Sequence, residues 1–315
     1  MTRTEETIRQ HFYWKNLRAD VRKYVGTCAA CQKCKKQRIK YGWLPEKEAE
    51  AIPWERLCVD LIGPYTIERK NQEDLQLQAV TMIDPATGWL EIAQYDDKRP
   101  ITVANIVEQT WLTRYPRPDI CTIDRGFEFI GHRFKNDLMK KEYGIQVKKA
   151  TTANPQANSI LERVHKVIGN MIRTFELEEN YLDQDDPWLG ILAATAFAVR
   201  STFHTTLQAT PGQLVFGRDL ILNCEHIADW QAIKKRKQQL IKYNNKKENR
   251  TRTQYKYEVD EHILLRNKLA RKMELPYKGP YKITKVFDNG TVRIQMGTIE
   301  DRVNIRHIVP YKNNT

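Results

Sequence analysis

The sequence has no run of 18 apolar residues and no segment resembling a secretory signal at its start, so we expect neither a membrane span nor export. It has six cysteines in 315 residues, and their spacing does not resemble the disulfide framework of a secreted domain. Acidic residues are outnumbered by basic ones, 39 against 52, which leaves a formal net charge of +13. These features predict an intracellular protein with reduced thiols.

The excess of positive charge lies at the two ends of the chain. Residues 1–50 carry 12 basic and 6 acidic side chains, residues 51–218 carry 19 and 22, and residues 219–315 carry 21 and 11. Neutralisation of phosphates by Lys and Arg supplies most sequence-independent affinity for nucleic acid. A near-neutral centre with basic flanks therefore predicts a catalytic domain that its neighbours hold on a polyanion.

Three carboxylates stand out in the central segment. Asp60 lies inside the apolar run 57–62, and Asp124 ends the apolar run 120–124. A charge buried without a partner is costly, so each requires compensation. Glu162 lies on a predicted helix, where it shares a polar face with Lys166 and Arg173. Two Asp from a sheet and one Glu from a helix would hold two Mg²⁺ or Mn²⁺ ions through oxygen, the arrangement used for in-line phosphoryl displacement.

The surrounding residues distinguish these acids from three ordinary surface carboxylates. Several blocks resemble the Asp-Asp-Glu integrases of retroviruses and gypsy-type LTR retrotransposons, and they span nearly the whole chain: WERLCVDLIGP (54–64), DRGFEF (124–129), NPQANSILER (154–163), TPGQLVFGR (210–218), KGPYKI (278–283) and VNIRHIVPY (303–311). Ser159 departs from the frequent glycine of that family. The 37 residues between Asp124 and Glu162 slightly exceed its usual spacing.

The resemblance implies the fold class and its divisions. We expect an α/β protein with a ribonuclease-H-like catalytic core at residues 51–218, a basic helical linker at 219–256 that frays into a flexible tether, and a small five-stranded β-barrel at 257–315. Residues 1–45 would form a partial zinc-binding module. Within the core, the predicted strands are Leu57–Ile62, Leu77–Ile83 and Trp89–Tyr95, with helices near Val103–Tyr115 and His132–Tyr143.

The resemblance also implies a reaction. Asp60, Asp124 and Glu162 would bind two Mg²⁺ or Mn²⁺ ions, trim the 3′ ends of the element's DNA, and join them to target DNA. The partners would be element ends, target DNA and further copies of the chain, as a dimer or a tetramer on DNA, with no membrane and no small-molecule substrate. The expected location is the nucleus or a virus-like particle. Two alternatives remain open: an inactive or host-adopted fragment that only binds DNA or protein, and a cut-and-paste transposase.

Cys28 and Cys31 form a Cys-x-x-Cys pair, a usual half of a tetrahedral zinc site. The resemblance implies that two histidines, positioned before Arg3, would complete it. His11 is expected at a packing or surface position, although Cys34 makes a makeshift Cys₃His site conceivable. We therefore expect this module, which opens on a predicted helix containing Ile8 to Val21, to bind zinc weakly or not at all.

Further residues are predicted to contact DNA. Gln156 and Asn158 lie on the loop before Glu162, while Lys166 and Arg173 follow it on the helix. In the C-terminal barrel, a basic set is expected to bind DNA with little sequence preference: Lys278, Lys282, Lys285, Arg293 and Arg306. Asp84 is interpreted as a turn residue, and Asp288-Asn289-Gly290 as a hairpin turn.

Overall fold

The structure is a computed structural model that describes residues 2–67, 75–95, 97, 99–124, 126, 129, 131–149, 164–170, 173–174, 187–267, 270–271 and 273–312. Its helices are α1 Thr2–Arg9, α2 Leu17–Thr27, α3 Ala29–Cys34, α4 Pro100–Val107 with a π-helical continuation Glu108–Leu112, the π-helix α5 Arg133–Glu142, α6 at 164–170, α7 Pro187–Ser201, α8 Pro211–Phe216 and α9 Trp230–Asn249. Its strands are β1 Lys40–Tyr41, β2 Arg56–Ile67, β3 Leu75–Ile83, β4 Leu90–Gln94, β5 Ile120–Ile123, β6 Gln146–Lys149, β7 Arg252–Thr253, β8 His262–Arg266, β9 Tyr277–Phe287, β10 Thr291–Met296, β11 Ile299–Asn304 and β12 Ile308–Pro310.

The chain divides into two compact units. A central unit comprises residues 48–241, and a flanking unit combines residues 1–47 with residues 242–315. Among the described helices, none has the length and apolar character needed to cross a membrane. The predicted α/β core and the C-terminal antiparallel sheet are both confirmed, whereas the boundaries of the four predicted modules remain a prediction.

The central unit is built on a five-stranded mixed sheet in the order β4-β3-β2-β5-β6. The first three strands form an antiparallel meander, and β5 and β6 run parallel to β2. Side chains alternate between the two faces of a strand. On β2, Leu57 and Val59 pack in a core with α4 and α5, whereas Cys58 and Ile62 pack on the opposite face in a core with α6 and α7. Because both faces of β2 are covered, its apolar run is continuous.

A bulge interrupts β2 just beyond Asp60. The pairing with β3 shifts between Ile62 and Tyr65. Gly63 adopts a φ of 92°, and a Cβ there would lie 2.2 Å from the Leu77 carbonyl oxygen. Only glycine tolerates both the left-handed backbone and this close approach. The bulge therefore interrupts the pairing just after the strand segment that carries Asp60, and the pairing resumes at Tyr65.

Asp84 is a turn residue, as predicted, but it is also fully buried between β3 and β4. Its carboxylate accepts hydrogen bonds from the backbone amides of Ala86, Thr87 and Trp54, and from the Thr87 hydroxyl. Burial raises the pKa of Asp84 despite these bonds. The Trp54 backbone has a φ of 65°, unusual for a bulky residue, and the Trp54 ring is stacked 5.4 Å from that of Tyr115. The turn thus fixes the chain where it enters β2.

Lys237 attaches the first part of α9 to the same turn. Its ammonium group donates hydrogen bonds to the carbonyls of Glu50, Pro85 and Ala86 at 2.8–2.9 Å. Burial lowers the pKa of Lys237 to about 8, so the group remains largely protonated at neutral pH. An ammonium that satisfies three carbonyls in a partly buried position holds the helix more firmly than an exposed lysine does.

The flanking unit is organised around a five-stranded antiparallel sheet in the order β11-β10-β9-β8-β12. Its core includes Ile263, Ile283, Val292 and Ile294, and Leu44 from the N-terminal segment packs against them. The predicted hairpin turn at 288–290 is confirmed, with Gly290 at a φ of 72°. The N-terminal segment is bonded to the residues that follow β12: the Gln32 side chain both donates to and accepts from the Lys312 backbone at 2.9 Å.

Two expectations about helices are wrong. The predicted N-terminal helix is interrupted between α1 and α2, and Phe12 is 66% exposed. The buried group on α1 is the Glu5 carboxylate, which is ion-paired with Arg9 and Arg18.

The linker helix does not fray at its asparagines. The side chains of Asn245 and Asn249 both donate to the Leu44 carbonyl, and Asn249 accepts from the Leu44 amide. These bonds compensate for the low helix propensity of asparagine.

Two arginines of the flanking unit are buried together. The Arg252 side chain is 2% exposed and donates to the carbonyls of Gly42 and Tyr41, and that of Arg306 is 9% exposed. Glu248 forms ion pairs with both. The expectation that Arg306 binds DNA is therefore wrong, because its charge is sequestered inside the unit.

We predict that Glu248→Gln destabilises the flanking unit by roughly 2–4 kcal/mol, because it leaves two buried guanidinium groups without a counter-charge. Hydrogen exchange of the β8 and β12 amides would measure the loss. The matched control is Glu300→Gln, which breaks an exposed pair with Arg293 and should cost less than about 1 kcal/mol. If the β8 and β12 amides were equally protected from hydrogen exchange in the two variants, the role given to Glu248 would be contradicted.

Candidate active site and nucleic-acid surface

Asp60 and Asp124 directly follow the last paired residues of β2 and β5. The parallel register joins Cys58 to Thr122 and Val59 to Ile123 and ends there. If the register continued by one residue, the two aspartates would stand on neighbouring strands, whose backbones lie about 4.8 Å apart. The Asp60 side chain is 23% exposed, and Asp124 is exposed at the end of its strand. Two neighbouring carboxylates repel one another, and a shared cation relieves the repulsion.

Asp60 lies on the face of β2 that α6 covers. Cys58 and Ile62, which flank Asp60 at alternate positions, belong to the same core as Ile168 and Val164 of α6. Val164 follows Glu162 by two residues in the sequence. Glu162 itself lies outside the described residues, so its place in the triad stays a prediction.

His165 is a site residue that the sequence analysis missed. Its Nε2 lies 2.8 Å from the Thr81 hydroxyl oxygen, and its Nδ1 lies 4.0 Å from a carboxylate oxygen of Asp60. Thr81 is the cross-strand partner of Asp60, and its hydroxyl donates to the Asp60 carbonyl at 3.1 Å. Burial lowers the pKa of His165 to about 4, so the imidazole is neutral at physiological pH. A side chain of α6 thereby reaches the strand that carries Asp60.

The other predicted contacts near the site fall into two groups. Gln156 and Asn158 lie outside the described residues. Lys166 and Arg173 are exposed, and Arg173 donates to the Asn170 side chain. Both remain available to a ligand, and their contact with DNA stays a prediction.

Two thiols of the N-terminal segment lie close together. Hydrogen bonds from the backbone amide and the thiol of Cys31 lower the pKa of Cys28. His11 lies in the turn that follows α1. Within the described residues, no three His, Cys, Asp or Glu side chains are grouped as a metal site would require. The two thiols provide half of the four ligands of a structural zinc site, so the described residues do not fit that ion.

A row of cations crosses the outer face of the flanking sheet. Lys285 on β9 is paired with Arg293 on β10, which is paired in turn with Arg302 on β11. We call these three residues the cation row. All three surround the Phe287 ring, with Arg302 closest at 3.8 Å. Burial, and secondly the charge of Arg293, lower the pKa of Arg302. Like charges in opposite positions destabilise a sheet unless an anion compensates them.

Lys282 differs from the cation row in its local charge. Its ammonium lies 2.8 Å from Asp260. Arg293 also has an acidic neighbour, Glu300, but at 3.5 Å and beside two further cations. Lys282 therefore contributes less positive potential than the cation row, although Lys282, Lys285 and Arg293 are all exposed.

Comparisons with known proteins find similarity to proteins of retroelements. Residues 1–37 match the family described as the integrase zinc binding domain. The chain is similar to integrases of gypsy-type and retroviral elements. It is 26% identical over 321 residues to the retrovirus-related Pol polyprotein from transposon 412 of Drosophila melanogaster, which covers 93% of this chain and 25% of that protein. It is 24% identical over 225 residues to human gypsy retrotransposon integrase-like protein 1, covering 70% and 39%.

The fold has a counterpart among solved structures. A chain of the simian T-cell lymphotropic virus intasome, solved in complex with PP2A regulatory subunit B56 gamma, aligns with a TM-score of 0.64 at 12% identity and covers 99% of this chain and 96% of that chain. This likeness shows the fold. The present chain spans about a quarter of the Drosophila relative's length and under two-fifths of the human one's.

We predict that Asp60→Asn and Asp124→Asn each abolish the thermal stabilisation of the central unit by Mn²⁺, because each removes a carboxylate from one shared site. A thermal shift titration with MnCl₂ measures this. Asp97→Asn is the matched control, since Asp97 is an acid of the same unit already bonded to Arg99 and Thr102. Full Mn²⁺ stabilisation in either site variant would contradict a shared metal site.

We predict that replacing Lys285 and Arg293 together by Gln reduces the slope of log K against log salt by about 1.8, because each lost phosphate contact lowers it by about 0.9 on duplex DNA. Fluorescence anisotropy with a labelled duplex at several salt concentrations measures the slope. Lys282→Gln should change this slope by less than about half the amount expected for one phosphate contact, because Asp260 already compensates the charge of Lys282. An unchanged slope in the double variant would exclude the cation row as a phosphate-binding surface.

Proposed function

We propose that this chain is the integrase of a gypsy-type retroelement, a metal-dependent polynucleotidyl transferase that trims the 3′ ends of the element's DNA and joins them to target DNA. The observation that carries the proposal is the parallel register of β2 with β5, whose last pair, Val59 and Ile123, is followed by an aspartate on each chain segment. The similarity to a retrovirus-related Pol polyprotein, and the match of residues 1–37 to the integrase zinc binding domain, support it independently. That similarity also favours a retroelement over a cut-and-paste transposase.

The donor set fits a hard divalent cation. Asp60 on β2 and Asp124 just after β5 would supply carboxylate oxygens, and Glu162 would add a third carboxylate from the segment before α6. Oxygen ligands of this kind suit Mg²⁺ and Mn²⁺. Ions bound there would supply Lewis-acid polarisation of the phosphate and would stabilise the attacking and leaving oxygens.

Two aspartates and two basic residues of this chain have distinct roles in the proposed reaction. Asp60 sits at a fixed position because both faces of β2 are packed. Asp124, at the open end of β5, faces solvent where a nucleic acid can approach. Lys166 and Arg173 lie further along the α6 segment and would contact phosphates. None of these tasks requires a covalent protein intermediate.

The flanking unit would hold the DNA. Its excess of positive charge and its cation row suit a duplex bound with little sequence preference. The partners would be element ends, target DNA and additional copies of the chain, assembled as a dimer or a tetramer. The place of action would be the nucleus or a virus-like particle.

We predict that Asp60→Asn, Asp124→Asn and Glu162→Gln each reduce joining by about a thousand-fold or more, because the loss of a metal-binding carboxylate removes several kcal/mol of transition-state stabilisation. The assay measures joining of labelled duplexes with candidate element ends in Mg²⁺ or Mn²⁺, with a disintegration substrate alongside in case the true ends are unknown. DNA binding by anisotropy should remain.

Asp97→Asn serves as the control and should join DNA as the parent chain does. Joining retained by any of the three acidic-site variants would refute the assignment. Salt-sensitive binding without joining by the parent chain would instead favour a protein that only binds DNA.

A further inference from the structure

A polar contact lies within the apolar interface between α6 and the central sheet. On the face of the sheet that α6 covers, Ala79 and Ile83 of β3 pack in one core with Ile168 of α6. Thr81 stands between them on the same face, because side chains alternate along a strand, and it is fully buried. His165 of α6 reaches this residue, since its Nε2 lies 2.8 Å from the Thr81 hydroxyl oxygen.

The Thr81 hydroxyl also contacts a second strand. Thr81 is the cross-strand partner of Asp60 on β2, and its hydroxyl lies 3.1 Å from the Asp60 carbonyl oxygen. A hydroxyl can donate one hydrogen bond and accept two, so one hydroxyl can bond both neighbours. A buried polar group that loses its partner is costly. The hydroxyl therefore ties α6 to the strand pair of β2 and β3 at the position of Asp60.

A hydrogen bond restricts this interface in a way that apolar packing does not. The hydrophobic effect is non-directional, so apolar side chains alone leave a helix some freedom to slide or turn on a sheet. A hydrogen bond fixes both a distance and a direction. The bond between His165 and Thr81 therefore selects one setting of α6 against β3.

This setting matters because the bond stands between two of the predicted acids. Asp60 is paired with Thr81. Glu162 lies outside the described residues, but it precedes His165 by three residues in the sequence, which limits the distance between their Cα atoms to about 11 Å. A displacement of α6 would therefore carry the Glu162 segment relative to Asp60. A misplacement of about 1 Å in a catalytic site can slow a reaction about a hundredfold.

We propose that Thr81 and His165 are positioning residues for the joining reaction. Their hydrogen bond sets the α6 segment, and with it Glu162, at a fixed place against the strand that carries Asp60. The proposal needs only the bond, whichever of its two partners donates. It rests on the proposed function and adds two residues that act through the acids rather than on the DNA.

The maximal joining rate, measured apart from DNA affinity, tests this proposal. Thr81→Val keeps the shape of threonine without the hydroxyl, and His165→Phe keeps a ring without nitrogen. Each should lower the rate at saturating duplex by about tenfold or more, while the Kd for duplex, measured by anisotropy, stays unchanged. The double variant should be no slower than the slower single variant, because both changes remove the same bond.

Two further variants separate positioning from a general loss of stability. Thr81→Ser restores a hydroxyl at the same place and should join DNA at nearly the parent rate. Thr87→Val removes another buried hydroxyl of the central unit, which is bonded to Asp84 at 2.7 Å. It should lower the melting temperature without slowing joining. Equal joining rates in Thr81→Val and Thr81→Ser, or losses that add in the double variant, would overturn the proposal.

Hydrogen exchange of α6 gives a second readout that does not depend on joining. The amides of residues 165–170 should exchange faster in Thr81→Val than in the parent chain or in Thr81→Ser. Unchanged exchange would also overturn the proposal, because α6 would then be held without this bond. If the parent chain joined no DNA, faster exchange in Thr81→Val would still support the anchoring of α6, and the integrase assignment alone would fail.

Discussion

The parallel pairing of β2 with β5 is the constraint on which the rest of the site depends. It fixes Val59 opposite Ile123, and the next residue of each strand is an aspartate. The pairing is stable because Leu57, Val59, Cys121 and Ile123 are almost fully buried in one core. A slip of one residue would send this set to the opposite face. The hydrophobic pattern that folds the sheet is therefore the same pattern that places the two carboxylates.

The face of the sheet that carries Asp60 is closed by helices. Val164 and Ile168 of α6 and Trp188 of α7 cover it, and His165 is the polar residue that α6 brings to Thr81 and the edge of the Asp60 carboxylate. Burial lowers the pKa of this ring. Packing thus brings a polar side chain of α6 to the strand that carries Asp60.

The flanking unit folds although it carries a large excess of positive charge. Part of that charge is buried: Arg252 and Arg306 both form ion pairs with Glu248 inside the unit. Other cations are more accessible: Lys285 and Arg293 are exposed, and the half-buried Arg302 stands beside them on the third strand. Buried basic side chains therefore stabilise the unit, whereas exposed ones are available to a ligand. Composition alone does not show which basic residues play which role.

Local features of this chain were predictable from its sequence, and long-range ones were not. The strands β2 to β4, the turn at Asp84 and the hairpin at Gly290 follow from apolar runs and turn residues. Asp60 and Asp124 were singled out because each is an acid within or at the end of an apolar run, and the resemblance to integrases made them members of one site. His165 was missed because its partner Thr81 lies 84 residues away, and Arg306 was misassigned because its charge appears exposed until Glu248 is placed beside it. Asn245 and Asn249 resemble helix breakers until Leu44, about 200 residues away in sequence, supplies their partners.

The central claim is that Asp60 and Asp124 share a divalent cation. Crystals of the whole chain soaked in MnCl₂ would test it most directly, through anomalous scattering at the manganese edge. The account predicts a peak about 2.2 Å from a carboxylate oxygen of each aspartate. Well-ordered carboxylates with no manganese between them, or manganese bound elsewhere in the central unit, would contradict it.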